Sequence, residues 1–191
     1  KFKFPNGCVS FANANFGEGL VSFYKTSFGQ GDISFENTTF GKGNIVFRKA
    51  TFNEGNISFS RTFFGDGNIY FKKVDFGKGD VHFYNAAFGR GSINFVGARF
   101  GPGDISFRNV IFGEGKVDFT NAYFDCGDVS FRNASFGDGN IYYDYATFSV
   151  GDLSFDNVSF KCESVSFNRV KINVGLLSLE SIKSSAVLIF R

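Results

Sequence analysis

Tryptophan and methionine are absent from this chain of 191 residues, proline occurs twice, histidine once and cysteine three times. The lone His82 stands beside no nucleophile or orienting partner, which argues against imidazole acid–base catalysis. Cys8, Cys126 and Cys162 show no Cys-x-x-Cys spacing, so neither a disulfide framework nor a metal site is expected, and no cofactor. An excess of one charge is missing too: 20 Lys and Arg against 18 Asp and Glu leave a net charge of +2. That balance supplies neither the basic field of a nucleic-acid binder nor an acidic mimic of DNA. The longest uninterrupted apolar run is the five residues from Ala186 to Phe190, far short of the ~20 that a membrane-crossing helix needs. No signal-peptide pattern opens the sequence, and neither nucleic acid nor membrane insertion is expected among its partners.

What is abundant is phenylalanine, with 30 residues, and glycine, with 24. They recur with a period of twelve. Phe4, Phe16, Phe28, Phe40 and their successors to Phe160 each open a unit Phe-Gly-x-Gly-Asp/Asn-Ile/Val-Ser-Phe-x-Asn-Ala-x, and a degenerate unit runs from Ile172 to Lys183. An internal repeat decides architecture before local propensity does. Asp32-Ile33-Ser34-Phe35-Glu36 alternates polar and apolar residues, the period of a half-buried strand, and Phe28-Gly29-Gln30-Gly31 reads as a bend whose glycines would supply positive φ.

Alternate units resemble each other more than neighbours do. At the tenth place odd units carry Asn13, Asn37, Asn85, Asn109, Asn133 and Asn157, while even units favour Lys25, Lys49, Lys73 and Arg169. The seventh place is Ser in the odd set, interrupted by His82, and Asp32, Asp80, Asp104, Asp128 and Asp152 at the fifth place are all odd. The structural rung is therefore 24 residues, two units, which also relieves the crowding that Phe and Ile would meet inside a twelve-residue coil. Phe35 is expected to lie over Phe59 with Phe47 across the lumen. Places one, six, eight and eleven should face inward, and the odd-unit Asn residues should form an amide ladder.

The segments Ala14-Asn15-Phe16-Gly17-Glu18 and Ala134-Ser135-Phe136-Gly137-Asp138 place a small residue two before a central Phe and a polar pair after it. In this the chain resembles the pentapeptide-repeat family, over five residues in every twelve. The resemblance implies an all-β, parallel, right-handed, four-sided solenoid. The seven intervening residues turn the expected rung into a rectangle with two long and two short sides, stacked about 7.5 times. Residues 1–171 form the repeats, and residues 172–191 a degenerate final repeat or partial C-terminal cap of the same domain. Rods of this kind resemble segments of large bacterial secreted toxins and adhesins that space or present other domains. A secreted or cell-surface location follows from that analogy. Lys1-Phe2-Lys3-Phe4 enters the repeat with almost no leader and Ala186 to Arg191 stops in what reads as a strand, so a longer parent chain is expected.

Gly-x-Gly here precedes no helix and lacks the Gly-Lys-Ser/Thr ending of a phosphate loop. Larger β-helices host polysaccharide lyases, but an active site would break the repeat locally, whereas the Asp column is regular; the chain is read as non-catalytic. Ice binding is a distant alternative, because the Ser column is flanked by Glu36, Arg108, Arg132 and Asp156. The informative irregularities are apolar residues at outward places. Phe63, Ala87 and Ile111 occupy the twelfth place of successive odd units, and Tyr24, Val46, Tyr70 and Val96 lie outward on the even long side. Either set is a candidate surface for a protein partner, a flanking domain or self-association.

Overall fold

A computed structural model describes residues 2–191. Each twelve-residue unit contributes a two- or three-residue strand to a long side, where the sixth place points inward and the seventh outward, as in buried Ile33 beside half-exposed Ser34. Strands of odd units pair only with strands of odd units. Val9, Ile33, Ile57, Val81, Ile105, Val129, Leu153 and Leu177 sit in register along one eight-stranded parallel sheet, the first long side. The even units build the opposite eight-stranded sheet, from Val21 to Leu188. Two narrower parallel ladders close the rectangle. One runs through Asn15, Thr39, Phe63, Ala87, Ile111, Ser135, Ser159 and Lys183, the other through Lys3, Ser27, Thr51, Asp75, Arg99, Tyr123, Thr147 and Lys171. We call these the first and second short sides.

The fold is thus an all-parallel β-solenoid with 24 residues per turn. It completes eight turns rather than seven and a half, because Val187–Ile189 adds a last long strand paired with Ser164–Ser166. The Gly-x-Gly corner is lost there. Val187 follows its partner Ser164 by 23 residues, whereas Lys183 follows Ser159 by 24.

Stacking identical rungs aligns the phenylalanines into columns. The Phe35 and Phe59 rings are stacked at 4.9 Å and 6°, and Phe47 meets Phe35 edge-on across the lumen at 5.4 Å and 90°. Offset stacking along the axis and T-shaped contact across it are both favourable arrangements of ring quadrupoles. The inward places are filled as the pattern requires: Phe28, Ile33, Phe35 and Ala50 are buried, and the eleventh-place Thr38 and Thr62 are buried with their hydroxyls satisfied. Thr38 Oγ1 donates to Phe11 O at 2.8 Å and Thr62 Oγ1 to Phe35 O at 2.7 Å.

The corners depart from the sequence reading. Most corner glycines do not have positive φ; that conformation belongs to the tenth place, where Asn, Lys, Arg, Tyr145 and Ser181 all fall at φ 52–61°. There the chain turns from long to short side through a β-turn such as that closed by Ala14 N–H to Phe11 O at 3.0 Å. Positive φ at its third residue favours Asn. The amide ladder is present over three rungs, Asn133 Nδ2 donating to Asn109 Oδ1 and Asn109 Nδ2 to Asn85 Oδ1, both at 3.0 Å. Serine at the seventh place braces the same turn, Ser34 Oγ accepting Glu36 N–H at 3.2 Å, a local bond that short hydroxyl side chains make readily. Glycine at the fourth place answers a different need. A Cβ on Gly91 would lie 2.0 Å from Gly67 O in the preceding rung.

One column member carries a polar atom into the core. Tyr143 replaces Phe between Phe119 and Phe167, stacked on each at 5.1 Å, and its fully buried hydroxyl has no hydrogen-bond partner. Burial, with a smaller contribution from Cys162, pushes that phenol well above its usual range. Tyr143→Phe should therefore stabilise the protein by about 1–3 kcal/mol, the cost of an unsatisfied buried group. The gain is read as a rise in the urea midpoint at unchanged slope, and an unchanged or lower midpoint would show that the hydroxyl is satisfied.

Candidate interaction surfaces

The residues able to carry chemistry are spread along the rod. His82 sits half-buried on the first long side, in register between Ser58 and Ser106. The aspartate column is structural. Asp80 Oδ1 accepts Asp104 N–H at 2.8 Å, Asp104 Oδ1 accepts Asp128 N–H at 2.9 Å, and Asp128 Oδ1 accepts Asp152 N–H at 2.8 Å. Each carboxylate thus receives a backbone N–H of the next rung. Among the described residues no three His, Cys, Asp or Glu side chains are placed to hold a metal ion. Cys8 and Cys126 are exposed and Cys162 is buried.

Among the described residues, the one partly buried ion pair lies on the second long side. Lys116 Nζ lies 2.9 Å from Asp118 Oδ2 and 4.3 Å from the centre of the Tyr142 ring, while Thr120 N–H donates to Asp118 Oδ1 at 3.0 Å. Burial opposes the charge on Asp118, but the hydrogen bonds from Thr120 and Lys116 outweigh it and hold the carboxyl below the usual carboxylate range. Asp118 thereby caps a turn as the serines do elsewhere, so its charge has a local structural use.

On the first short side, parallel bridges join Phe63 to Ala87 and Ala87 to Ile111. Phe63 is 49% exposed and Ile111 56%, with half-buried Ala87 between them. The rest of that column is polar: Asn15, Thr39, Ser135, Ser159 and Lys183. The other set is less contiguous. Val46 and Tyr70 are in-register neighbours and half-buried. Tyr24, which is exposed, and Val96, which is half-buried, share the ninth-place column but are separated there by Arg48 and Lys72. The largest exposed apolar group is elsewhere, on the eighth turn, where Leu176, Leu179, Val187 and Phe190 are each more than half exposed. Leu176 at a fifth place otherwise rich in Asp is its sequence signal.

No protein-family model matches the chain, and no curated protein matches it. Among solved structures it is similar to a trypsin-treated variant of QnrB1, a plasmid-mediated fluoroquinolone resistance protein. The sequence identity is 15%, the alignment covers 95% of this chain and 90% of that one, and the TM-score is 0.26. The protein is an all-parallel β-solenoid of 24-residue turns. Its four faces are periodic, each place recurring every 24 residues along the rod. No helix among the described residues is long and apolar enough to cross a membrane.

Proposed function

We propose that the chain is a non-catalytic scaffold, a stiff rod that presents its first short side to a protein partner. The observation that carries this is the contiguous strip Phe63, Ala87 and Ile111. In a repeat the consensus residue at a column reports what the fold needs, and the fold needs a polar residue there in the rungs on either side. Two bulky side chains two rungs apart, ~10 Å, form a pair of anchors that one partner segment can span, the arrangement from which interface hot spots are built. The finer reading, a rod that spaces domains within a larger secreted toxin or adhesin, rests on architecture; a stand-alone binder using the same face is the alternative.

Phe63→Ser with Ile111→Ser should leave the melting temperature within a few degrees, because both side chains already face water. A photo-crosslinking residue at position 63 should capture a protein partner that is lost in Ile111→Ser, whereas the same probe at Thr147 on the opposite, second short side should capture nothing. Unfolding of the double variant would place these residues in the core. Equal capture from both probe positions would remove the strip as the binding surface.

A further inference from the structure

The near-neutral charge of the chain hides a local excess. At the corner where the second long side turns into the second short side, three consecutive turns carry Tyr24-Lys25, Arg48-Lys49 and Lys72-Lys73 at the ninth and tenth places. The backbone sets them in register: Lys25 N–H donates to Arg48 O and Lys49 N–H to Lys72 O, both at 3.1 Å. Five cations therefore stand in two columns, with ~4.8 Å between rungs. Lys72 is half-buried and the other four are exposed. The ion pairs among the described residues use Arg61, Lys78, Arg90 and Lys116, and none of these five. Asp75, the nearest acid in sequence, accepts Gly77 N–H at 3.1 Å. Five of the 20 basic side chains are gathered at this corner, which leaves 15 against 18 acidic ones on the rest of the chain.

The fold does not ask for lysine there. Lys25, Lys49 and Lys73 have φ of 53–59°, a conformation that Gly and Asn adopt more readily, and the same column continues with Gly97 and Asn121. Like charges on neighbouring strands also repel. The Lys25 ammonium, with Lys49 and Arg48 behind it, holds the Tyr24 phenol below its ordinary range, as an unneutralised positive field does. Conformation and electrostatics both oppose a choice made in three successive turns, so the compensating anions come from outside the rod. Beside the cations lie the in-register, half-buried Val46 and Tyr70.

We propose that this corner binds an acidic segment of a protein partner, its Asp and Glu side chains paired with the lysines and Arg48, and an apolar side chain lying across Val46 and Tyr70. Charge complementarity names the occupant, and the place where the cations stop limits its reach. Beyond the third of these turns the ninth and tenth places become Val96-Gly97, Thr120-Asn121 and Asp144-Tyr145, and Asp118 lies on the same long side. A nucleic-acid duplex or an anionic lipid surface laid along the rod would run onto those carboxylates, whereas a short segment ends before them. The corner adjoins the short side opposite Phe63 and Ile111, so the proposal stands apart from that strip.

Changing Lys25→Asn, Lys49→Asn and Lys73→Asn together in the full chain separates binding from folding. The melting temperature should hold or rise, because repulsion is relieved and the corner receives the residue its conformation favours. Affinity for a fluorescent Glu-rich peptide with Leu at its centre should fall about tenfold at low salt, the effect of losing three exposed ion pairs. For the unmodified chain, binding should weaken as salt is added, a Gln-for-Glu peptide should not bind, and an all-Glu peptide should bind less tightly than the one with Leu. No binding at low salt overturns the proposal, as does binding that survives the triple change or gains nothing from Leu. A fall in melting temperature overturns it too, by making the lysines structural. Tighter binding of a DNA duplex or of phosphatidylserine vesicles than of the peptide, lost in the same variant, would give the corner to nucleic acid or membrane instead.

Discussion

Phe107→Ala is expected to cost about 3–5 kcal/mol of folding free energy, the range for removing a buried Phe and leaving part of its volume empty. Phe107 is fully buried at the centre of the rod. Its ring stacks on Phe83 at 4.9 Å and Phe131 at 4.8 Å, and meets Phe95 and Phe119 edge-on at 5.9 and 5.8 Å. Neighbours held in their own columns cannot slide in to fill the space, which favours the upper part of that range. Ser106→Ala, one residue away and facing out, should cost under about 1 kcal/mol, since it forfeits only a 3.5 Å contact with Arg108 N–H. Urea denaturation of the two variants separates inward from outward places, and similar losses would mean that the strand is assigned to the wrong face.

Gly91→Ala should be comparably severe for a steric reason, with a loss of about 3 kcal/mol or more, at or beyond the upper end of ordinary overpacking. The added methyl would sit 2.0 Å from Gly67 O and 2.4 Å from Gly67 C, main-chain atoms of the rung before it. Relief requires separating two rungs and lengthening their hydrogen bonds. Gly97→Ala is the contrasting case. A Cβ there meets only the Lys73 side chain at 3.6 Å, but the backbone lies at φ +64°, so about 1–2 kcal/mol of conformational strain is expected. Gly97→Asn should recover much of it, whereas no side chain rescues Gly91.

These two glycines show what could be read from sequence. Rung length and inward places were legible because Phe35, Ile33 and their copies repeat at a spacing that only stacking explains. The reason for glycine at the fourth place was not, since the atoms that forbid a Cβ on Gly91 belong to a residue 24 positions earlier. From sequence, the tenth-place asparagines read as a ladder. The ladder is real at Asn85, Asn109 and Asn133, yet positive φ is the property common to the whole column, including Lys25, Arg61 and Tyr145. Asn and Gly97 sharing one column was the available clue. For the candidate surfaces, sequence could place Phe63, Ala87 and Ile111 in one column, but not reveal that Tyr24 and Val96 have Arg48 and Lys72 between them.

The 24-residue register makes the length of this rod a quantised property. Deleting or duplicating one full turn, for example residues 77–100, returns every column to its own kind and changes the rod by ~4.8 Å. An insertion of twelve would exchange the two long faces beyond it, stacking the aspartates of one on the asparagines, serines and lysine of the other. Unequal recombination between copies is thus a reading-frame problem in space as well as in the gene. Only whole turns pass, so related chains should differ in length by multiples of 24, with the corner glycines in phase on both sides of the junction.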